Sequence, residues 1–152
     1  MENWFEVKNS DCIASPALLL YPDRITRNIR LLKKMVANDT SRLRPHAKTH
    51  KMLEVSKMMI DEGIEQFKCS TIAEAEMLAL SNAKDVLLAY QPVGPNMKRF
   101  LKLVQEYPNT HFSCLLDNID SIQNLNELAK ELGLKVSFYL DLDVGMGRTG
   151  AS

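Results

Sequence analysis

The sequence predicts an α/β fold built on a parallel sheet, and three observations support this prediction. Short apolar runs alternate with amphipathic stretches along the chain, with no low-complexity segment between them. The predicted strands start near residues 43, 67, 85, 111 and 135, about one strand–helix unit apart. The run DVLLAY (85–90) is continuously apolar, which is typical of a strand covered on both faces. Repeated βα units of this kind indicate either a doubly wound sheet or a (β/α)8 barrel.

The first predicted elements are a strand and a long amphipathic helix. The run ALLLY (17–21) is apolar and is predicted to form the strand. In the segment 22–39, Ile25, Ile29 and Leu32 recur at helical spacing, with basic residues on the opposite side. The sequence therefore predicts a helix over 22–39.

The rest of the chain alternates strands and helices in the same way. Gly63 and Gly133 follow two helical segments and are expected to end them. Thr71 is predicted to cap the next helix, with Glu74 as its capping-box partner three residues later. The predicted strands are 43–48, 67–70, 85–90, 111–117 and 135–145, and the predicted helices are 51–62, 72–82, 96–107 and 119–133.

The length of the chain limits how much of a barrel it can hold. A chain of 152 residues is about one domain long and can bury a real core. An eight-unit barrel needs roughly 200 residues or more. If the fold is a barrel, we therefore expect this sequence to form only part of one.

Composition and charge exclude several classes of partner. The hydrophobic fraction of 45% and the charged fraction of 25% are ordinary for a soluble globular domain. Nineteen basic and nineteen acidic side chains cancel, so the overall charge gives no reason to expect nucleic acid or an anionic membrane as a partner. No long apolar run and no signal-peptide pattern is present, so we expect a cytoplasmic protein.

The three cysteines do not form a recognisable metal or disulfide pattern. Cys12, Cys69 and Cys114 are far apart in the sequence and odd in number. Cys69 and Cys114 are expected to be small buried residues in strands, because free cysteine is among the most buried residue types. The sequence predicts no metal site in this chain.

The stretch SRLRPHAKTHKML (41–53) concentrates basic residues around a proline. If it is a strand, Arg44, His46, Lys48 and His50 fall on one face. Neighbouring cations disfavour the protonated form of an amine, which makes it a better nucleophile toward an aldehyde, and they attract a phosphate or carboxylate. From charge alone, a solvated basic loop is the more common explanation of such a run. Pro45 also limits regular pairing to the segment that follows it.

The second notable stretch is DLDVGMGRTG (141–150), which follows the last predicted strand. Its GxGxxG spacing is a weak match to a dinucleotide fingerprint, because neither a following helix nor the later acidic residue can be checked. Alternatively, the glycines allow the backbone close to a ligand while Arg148 donates hydrogen bonds to an anion. Asp141 and Asp143 share a strand face and are expected to pair with interior cations rather than with a metal.

Taken together, these stretches resemble a known family of enzymes. RPHAKTHK (44–51) closely resembles the cofactor-lysine motif of the D-threonine aldolase and D-serine dehydratase-like enzymes, which belong to the alanine racemase-like, fold type III pyridoxal phosphate enzymes. The resemblance covers nearly the whole chain, and its other motifs come in the expected order: SPALLLYPDRITRNI, CSTIAEAEML and LDVGMGRTG. LLAYQPVGPN is similar to a bacterial subgroup of amino-acid aldolases or racemases.

The resemblance implies a fold and a set of site residues. It implies a partial (β/α)8 TIM-like barrel with about five barrel strands, in which residues 1–21 can pack with a β-domain absent from this chain. Lys48 matches the lysine that carries pyridoxal 5'-phosphate as a Schiff base. Arg148 matches an arginine expected near the phenolic oxygen of the cofactor or the substrate carboxylate. His46 is carried over as a cofactor-binding residue because of its place in the motif. His50 also matches the motif by its place, but no role is assigned to it.

The resemblance also implies an activity for the intact protein. We expect a pyridoxal phosphate-dependent lyase that acts on D-3-hydroxy amino acids, by aldol cleavage or dehydration, and forms a homodimer. An amino-acid racemase and a non-catalytic pyridoxal phosphate-binding protein are the alternatives. The whole of 1–152 is expected to be the N-terminal part of the barrel. The remaining strands, the phosphate-binding loop and, in metal-dependent members, the divalent-metal ligands would lie outside it, so activity of residues 1–152 alone stays open.

Overall fold

The computed structural model describes residues 3–151 and contains a parallel four-stranded sheet. The strands pair in sequence order, so each strand lies beside the one that precedes it in the chain. Helices connect successive strands, which is the arrangement of a barrel wall rather than of a doubly wound sheet with reversed strand order. The strands are β1 (Gln66–Cys69), β2 (Asp85–Leu88), β3 (His111–Leu116) and β4 (Ser137–Leu140).

Five α-helices accompany the sheet in the described part of the chain. They are α1 (Pro22–Met35), α2 (Leu53–Asp61), α3 (Ile72–Leu80), α4 (Pro95–Glu106) and α5 (Ile119–Glu131). The alternating burial along β1 and β2 places one set of side chains under the helices and the other set on the opposite, inner face. The core therefore lies between the sheet and the helices, and it includes Phe67, Val86, Leu78 and Phe100.

The predicted strand at 43–48 is present only as a short paired segment. A parallel bridge joins His46 to Lys68 of β1, and the N–H of Lys68 donates to the carbonyl oxygen of Pro45 at 2.9 Å. Ala47 then begins a 3₁₀ turn, Ala47–Thr49, instead of continuing the strand. Pro45 has no N–H to give to a ladder, and the side chain of His46 accepts the N–H of Lys48, so regular pairing cannot extend further.

The prediction of a strand at 17–21 is wrong for the part of the chain that the structure describes. Residues 17–21 have no strand partner, and Leu18 is 72% exposed. An apolar run alone does not form a strand, because strand formation requires a neighbour that pairs with its backbone. The packing of this segment with a β-domain stays a prediction.

The predicted helices are confirmed, although each one ends earlier than predicted. α1 ends at Met35 rather than at residue 39, because Ala37 and Asn38 have positive φ and leave the helical path. Thr71 caps α3 as predicted, since its Oγ1 accepts the N–H of Glu74 at 3.1 Å. The carboxylate of Glu74 accepts from Ser70 N rather than from the N–H of the cap residue itself.

The lateral edge of the sheet at β4 is open. All residues of β4 are exposed, and the strand is shorter than the predicted 135–145. A cleft of about 540 Å³ lies beside it, lined by residues of α5 and of the β4 region that include Leu125, Ala129, Val136 and Phe138. The described helices include none that is both long and apolar enough to cross a bilayer.

Candidate active site

The two stretches singled out from the sequence lie at the same end of the sheet. The turn Ala47–Thr49 follows the residue paired with β1, and residues 141–150 follow β4. Because the strands are parallel, both stretches are at the carboxyl ends of the strands, where βα loops form the active sites of barrel enzymes. The structure therefore places Lys48 and Arg148 on one rim, at its two lateral ends.

Lys48 lies in the middle of the turn Ala47–Thr49, here called the lysine turn. Ala47 is fully buried, which anchors the turn in the core, whereas Lys48 is exposed. Among residues 3–151, no carboxylate forms an ion pair with the Lys48 amine. The turn thus presents an exposed amine on a hydrogen-bonded backbone, with no salt-bridge partner among the described residues.

Arg44 does not belong to the group of cations around Lys48 that strand alternation predicted. Its guanidinium lies at the amino-terminal end of the strands, where it donates to the carboxylate of Asp85 and to Gln66 Oε1 at 3.1 Å. Both partners begin strands on the inner face. The expectation that Arg44 sits beside Lys48 is therefore wrong, because the Arg44 side chain is held by residues at the amino-terminal ends of β1 and β2, whereas Lys48 follows the paired segment toward the carboxyl ends.

His46 is held between the lysine turn and the carboxyl end of β1. Its Nδ1 accepts the N–H of Lys48 at 3.2 Å, and its Nε2 is 3.1 Å from Ser70 Oγ. Burial, together with the nearby charges of Lys48 and Lys68, lowers the pKa of His46 below its usual range, and Glu74 opposes this effect. A neutral ring that accepts at Nδ1 must carry its proton on Nε2 and donate it to Ser70.

His50 makes the equivalent contact on the other side of the lysine turn. Its Nδ1 accepts the N–H of Met52 at 3.0 Å, just before α2 begins. Burial lowers the pKa of His50. The two histidines of the motif therefore make the same kind of hydrogen bond, each to the N–H two residues later.

Three residues near Lys48 were not singled out as site residues from the sequence. Ser70 contacts His46, Lys68 lies beside His46 on the inner face, and Glu74 is buried with one oxygen 2.8 Å from Ser70 N. The other oxygen of Glu74 is 3.6 Å from the Lys51 amine. The capping-box pattern identified Glu74 as a helix residue, but a local pattern does not report that α3 begins next to the lysine turn.

Arg148 lies in an exposed glycine-rich loop that turns back on β4. Asp143 organises this loop by accepting the N–H groups of Gly145 at 2.9 Å and Gly147 at 3.0 Å. These two bonds lower the pKa of Asp143. Gly150 has φ of 103°, and a Cβ there would lie 2.5 Å from the Leu142 carbonyl carbon and the Asp143 nitrogen, so the loop requires glycine at this position.

Asp143 therefore binds its own loop and not an interior cation, contrary to the expectation from strand alternation. The loop is fixed to the sheet by reciprocal backbone bonds between Asp141, Asp143 and Ala151. Within residues 3–151, Arg148 has no side-chain hydrogen bond or ion pair, with Lys48 or with any other side chain. No group of three or more His, Cys, Asp and Glu side chains in this range could bind a metal ion.

Comparison with known proteins identifies the fold and the family. Residues 20–152 match the family described as "Alanine racemase, N-terminal domain". The chain belongs to this family. Its four-stranded parallel sheet and helices match the N-terminal TIM-barrel-like domain of alanine racemase-like enzymes, so the predicted fold class is confirmed.

Three similar proteins show how strongly this chain resembles known proteins and how much of their length it covers. The 3-hydroxy-D-aspartate aldolase of Paracoccus denitrificans is 29% identical, over 92% of this chain and 36% of its own length. The crystal structure of D-threonine aldolase from Filomicrobium marinum matches with TM-score 0.80 and 26% identity, over 92% of this chain and 37% of that one. An alanine racemase-like protein from Idiomarina loihiensis matches with TM-score 0.72 and 33% identity, over 84% and 34%. The chain thus spans about a third of the length of these relatives.

Proposed function

We propose that this chain supplies the cofactor lysine of a pyridoxal phosphate-dependent lyase acting on D-3-hydroxy amino acids. The observation that carries the proposal is the Lys48 amine, exposed and without an ion-pair partner among the described residues, on a braced turn at the carboxyl rim. Membership of the alanine racemase N-terminal family supports a lysine-bound pyridoxal phosphate at this rim. Similarity to proteins named as aldolases of D-3-hydroxy amino acids favours a lyase.

The residues present fit pyridoxal phosphate at the lysine turn. Lys48 would hold the aldehyde carbon covalently. His46 lies next to it, and because its pKa is lowered, the ring adds no second positive charge beside the lysine at neutral pH. When bound, the cofactor supplies an electron-accepting ring that stabilises charge developing at the substrate Cα. Arg148, at the far side of the rim, would bind an anionic oxygen of the substrate or cofactor through its planar N–H groups.

The inner face beside Lys48 favours an anionic substrate. Lys68 projects on the same face as His46, while the alternate residues Phe67 and Cys69 are buried beneath the helices. Among residues 3–151 the Lys68 amine has no carboxylate in ion-pair range. An amino acid carries at least one carboxylate, which these cations would attract.

A matched pair of variants tests the role of Lys48. The purified protein is incubated with pyridoxal phosphate, reduced with borohydride and digested, and the modified lysine is identified by mass spectrometry. We expect the label on Lys48, and we expect Lys48→Arg to abolish it, because arginine keeps the charge but is not a nucleophile at neutral pH. Lys51→Arg, three residues away, should keep the label. Unchanged total labelling in Lys48→Arg would refute the proposal.

Once Lys48 is shown to carry the label, the products formed from D-threonine distinguish a lyase from a racemase and from a non-catalytic binding protein. Aldol cleavage gives glycine and an aldehyde, whereas dehydration gives ammonia and a keto acid. Inversion at Cα without cleavage would favour a racemase, to which the similarity with the Idiomarina loihiensis protein also points. Labelling of Lys48 without any of these products would favour a binding protein.

A further inference from the structure

We infer that His46 and His50 are positioning residues: through their Nδ1 atoms, His46 braces the start of the lysine turn, and His50 fixes the segment that leads from the end of the turn into α2. This inference rests on the proposed function of Lys48 and assigns a role to both histidines of the motif. His46 is the residue that caps the start of the turn, and His50 is the residue that ends it. Each ring accepts a backbone N–H two residues later, at 3.2 Å from Lys48 and at 3.0 Å from Met52.

The lysine turn needs such braces because it is too short to be stable by itself. It comprises three residues, and short 3₁₀ turns have poor hydrogen-bond geometry. The first N–H groups of any helical turn have no partner inside it, and side-chain acceptors satisfy them. Thr49 adds a third contact, since its hydroxyl donates to the carbonyl oxygen of His46 at 3.1 Å. Without these contacts the backbone of Lys48 would sample other conformations.

The His46 ring is itself oriented by the carboxyl end of β1. Its Nε2 is 3.1 Å from the hydroxyl oxygen of Ser70. The N–H of Ser70 is fixed in turn by the buried carboxylate of Glu74, at 2.8 Å. A chain of hydrogen bonds therefore runs from Glu74 through Ser70 and His46 to the backbone of Lys48, and it connects α3 to the lysine turn.

This arrangement excludes His46 as a general base in its observed position. The lone pair on Nδ1 is occupied by the N–H of Lys48, and Nε2 must carry the proton that Ser70 accepts. A base has to offer a free lone pair to the substrate. His46 could do so only by releasing the turn that positions the reacting amine.

The brace depends on the charge state of the ring, because a protonated imidazole has two donors and no acceptor. The charged groups that face His46 are Lys48 and Lys68, which disfavour protonation, and Glu74, which favours it. Lys51 lies 3.6 Å from Glu74 and reduces the influence of that carboxylate. His50 faces Glu74 and is partly buried. The brace at His46 is therefore intact at neutral pH and released on acidification.

Nuclear magnetic resonance tests the brace without any cofactor. Long-range ¹H–¹⁵N spectra of the protein at pH 7 should show His46 and His50 as neutral rings protonated on Nε2. His111, exposed at the start of β3, provides an internal reference for a histidine outside the turn. Ser70→Ala should shift the His46 signals and leave those of His50 in place. A ring protonated on Nδ1, or a doubly protonated His46 at pH 7, would overturn the inference.

The rate at which pyridoxal phosphate labels Lys48, measured after borohydride reduction, tests whether the brace helps the lysine to react. His46→Ala removes the acceptor, and loss of a side-chain cap should reduce the initial rate about fivefold. His46→Asn places an amide oxygen where Nδ1 was and should stay within about twofold of the original protein, because asparagine is also an effective cap. Equal rates in the alanine and asparagine variants would contradict the positioning role.

A pH series separates the brace from protonation of Lys48 itself. Acid reduces the nucleophilicity of Lys48 in every variant, but only the original protein also loses its acceptor, since asparagine does not titrate. The rate ratio of the original protein to His46→Asn should therefore fall as pH falls through the pKa of His46. A constant ratio would overturn the inference. If His46→Ala fails to fold, this rate ratio and the resonance data still test whether His46 positions the lysine turn. If Lys48 labels in no variant, the proposed function fails while the resonance test of the brace remains valid.

Discussion

The two lateral edges of the sheet carry the two halves of the candidate site, and they are built differently. At the β1 edge, the segment that carries Lys48 is anchored by the buried residues Leu43 and Ala47 and covered by helices. At the β4 edge, Phe138 and Leu140 are 45% and 57% exposed, and the loop with Arg148 is held by the Asp143 carboxylate and backbone bonds. Lys48 lies on the packed edge and Arg148 on the open one.

This difference indicates which part of the site is fixed before a ligand binds. The side chain of His46 bonds to the start of the lysine turn, and that of His50 bonds to Met52 just beyond its end, so we expect the fold of residues 3–151 to set the position of its backbone. The Arg148 side chain has no such brace within that range, and the exposed apolar surface of β4 is typical of an interface that another element covers. We therefore expect residues at the β1 edge to contribute most to the free energy of unfolding. We expect the β4 edge to contribute less and to change when another element covers it.

The largest effect should come from shortening a core phenylalanine at the packed edge. Phe67 of β1 is fully buried, so Phe67→Ala should lower the free energy of unfolding by about 3–5 kcal/mol through lost burial and a cavity. Phe138→Ala, on β4, should cost about 1 kcal/mol or less, because the ring is already partly in water. Urea unfolding followed by circular dichroism measures both.

Leucine variants at the same two positions provide a milder control. Phe67→Leu keeps most of the volume and should cost about 1–2 kcal/mol, which leaves the protein folded for measurement. Phe138→Leu should have almost no effect. Equal losses at the two positions would mean that β4 is as well covered as β1, and the contrast between the edges would then be wrong.

A smaller effect is expected from the ion pair at the amino-terminal end of the strands. Arg44 and Asp85 have side chains 23% and 26% exposed, and Arg44 also donates to Gln66. Arg44→Met should lower the free energy of unfolding by about 2 kcal/mol, because it leaves the Asp85 carboxylate partly buried and unpaired. Urea unfolding of the two single variants and the double variant Arg44→Met, Asp85→Asn gives their coupling.

The same variant tests the separation of the two ends of the segment 43–50. Arg44 lies away from the carboxyl rim, so Arg44→Met should leave the labelling of Lys48 by pyridoxal phosphate unchanged. This result would distinguish Arg44, as a structural residue, from His46. A strong loss of labelling in a folded Arg44→Met protein would restore the original prediction that Arg44 acts on the Lys48 amine.

The sequence predicts the sheet and helices well because their signals are local. Apolar runs identified β1 to β4, and amphipathic spacing identified α1 to α5, since burial against a single core imposes both patterns. The capping of α3 by Thr71 was also predictable, because the cap and its partner are three residues apart. The segment 17–21 has the same apolar pattern as a strand, but the pattern does not reveal whether a pairing neighbour exists.

The candidate site was predictable only in part. Two motifs predicted Lys48 and Arg148 as site residues, and their roles stay predictions. The parallel strands place both on one rim, but alternation put Arg44 in the wrong group of residues. Alternation assumes a regular strand, and the side chain of His46 interrupts it by capping the lysine turn. Ser70 and Glu74 could not be assigned to the site from sequence, because their contacts cross from β1 and α3 to a segment about twenty residues earlier.

The smallest effect on global stability should come from the glycine-rich loop at the open edge. Asp143 has a lowered pKa because the N–H groups of Gly147 and Gly145 stabilise its charged form. A carboxylate with a lowered folded pKa stabilises the loop above the ordinary aspartate pKa, and this contribution is lost as pH falls through the lowered value. The amide resonances of Gly145 and Gly147 should therefore move together at a pH below about 4.

Variants of Asp143 show whether the carboxylate alone holds the loop. Asp143→Asn keeps an acceptor oxygen but loses the charge, so amide exchange at Gly147 should increase about severalfold, and Asp143→Ala should increase it further. Gly150 donates to Asp117 at 3.1 Å, so its exchange should change less and serves as the control. The urea midpoint should stay the same, because residues 144–149 are exposed. A drop in the urea midpoint equal to that of Arg44→Met would mean that the loop stabilises the sheet. Residues 3–151 would then stabilise the open edge as strongly as the packed edge, which would contradict the contrast between them.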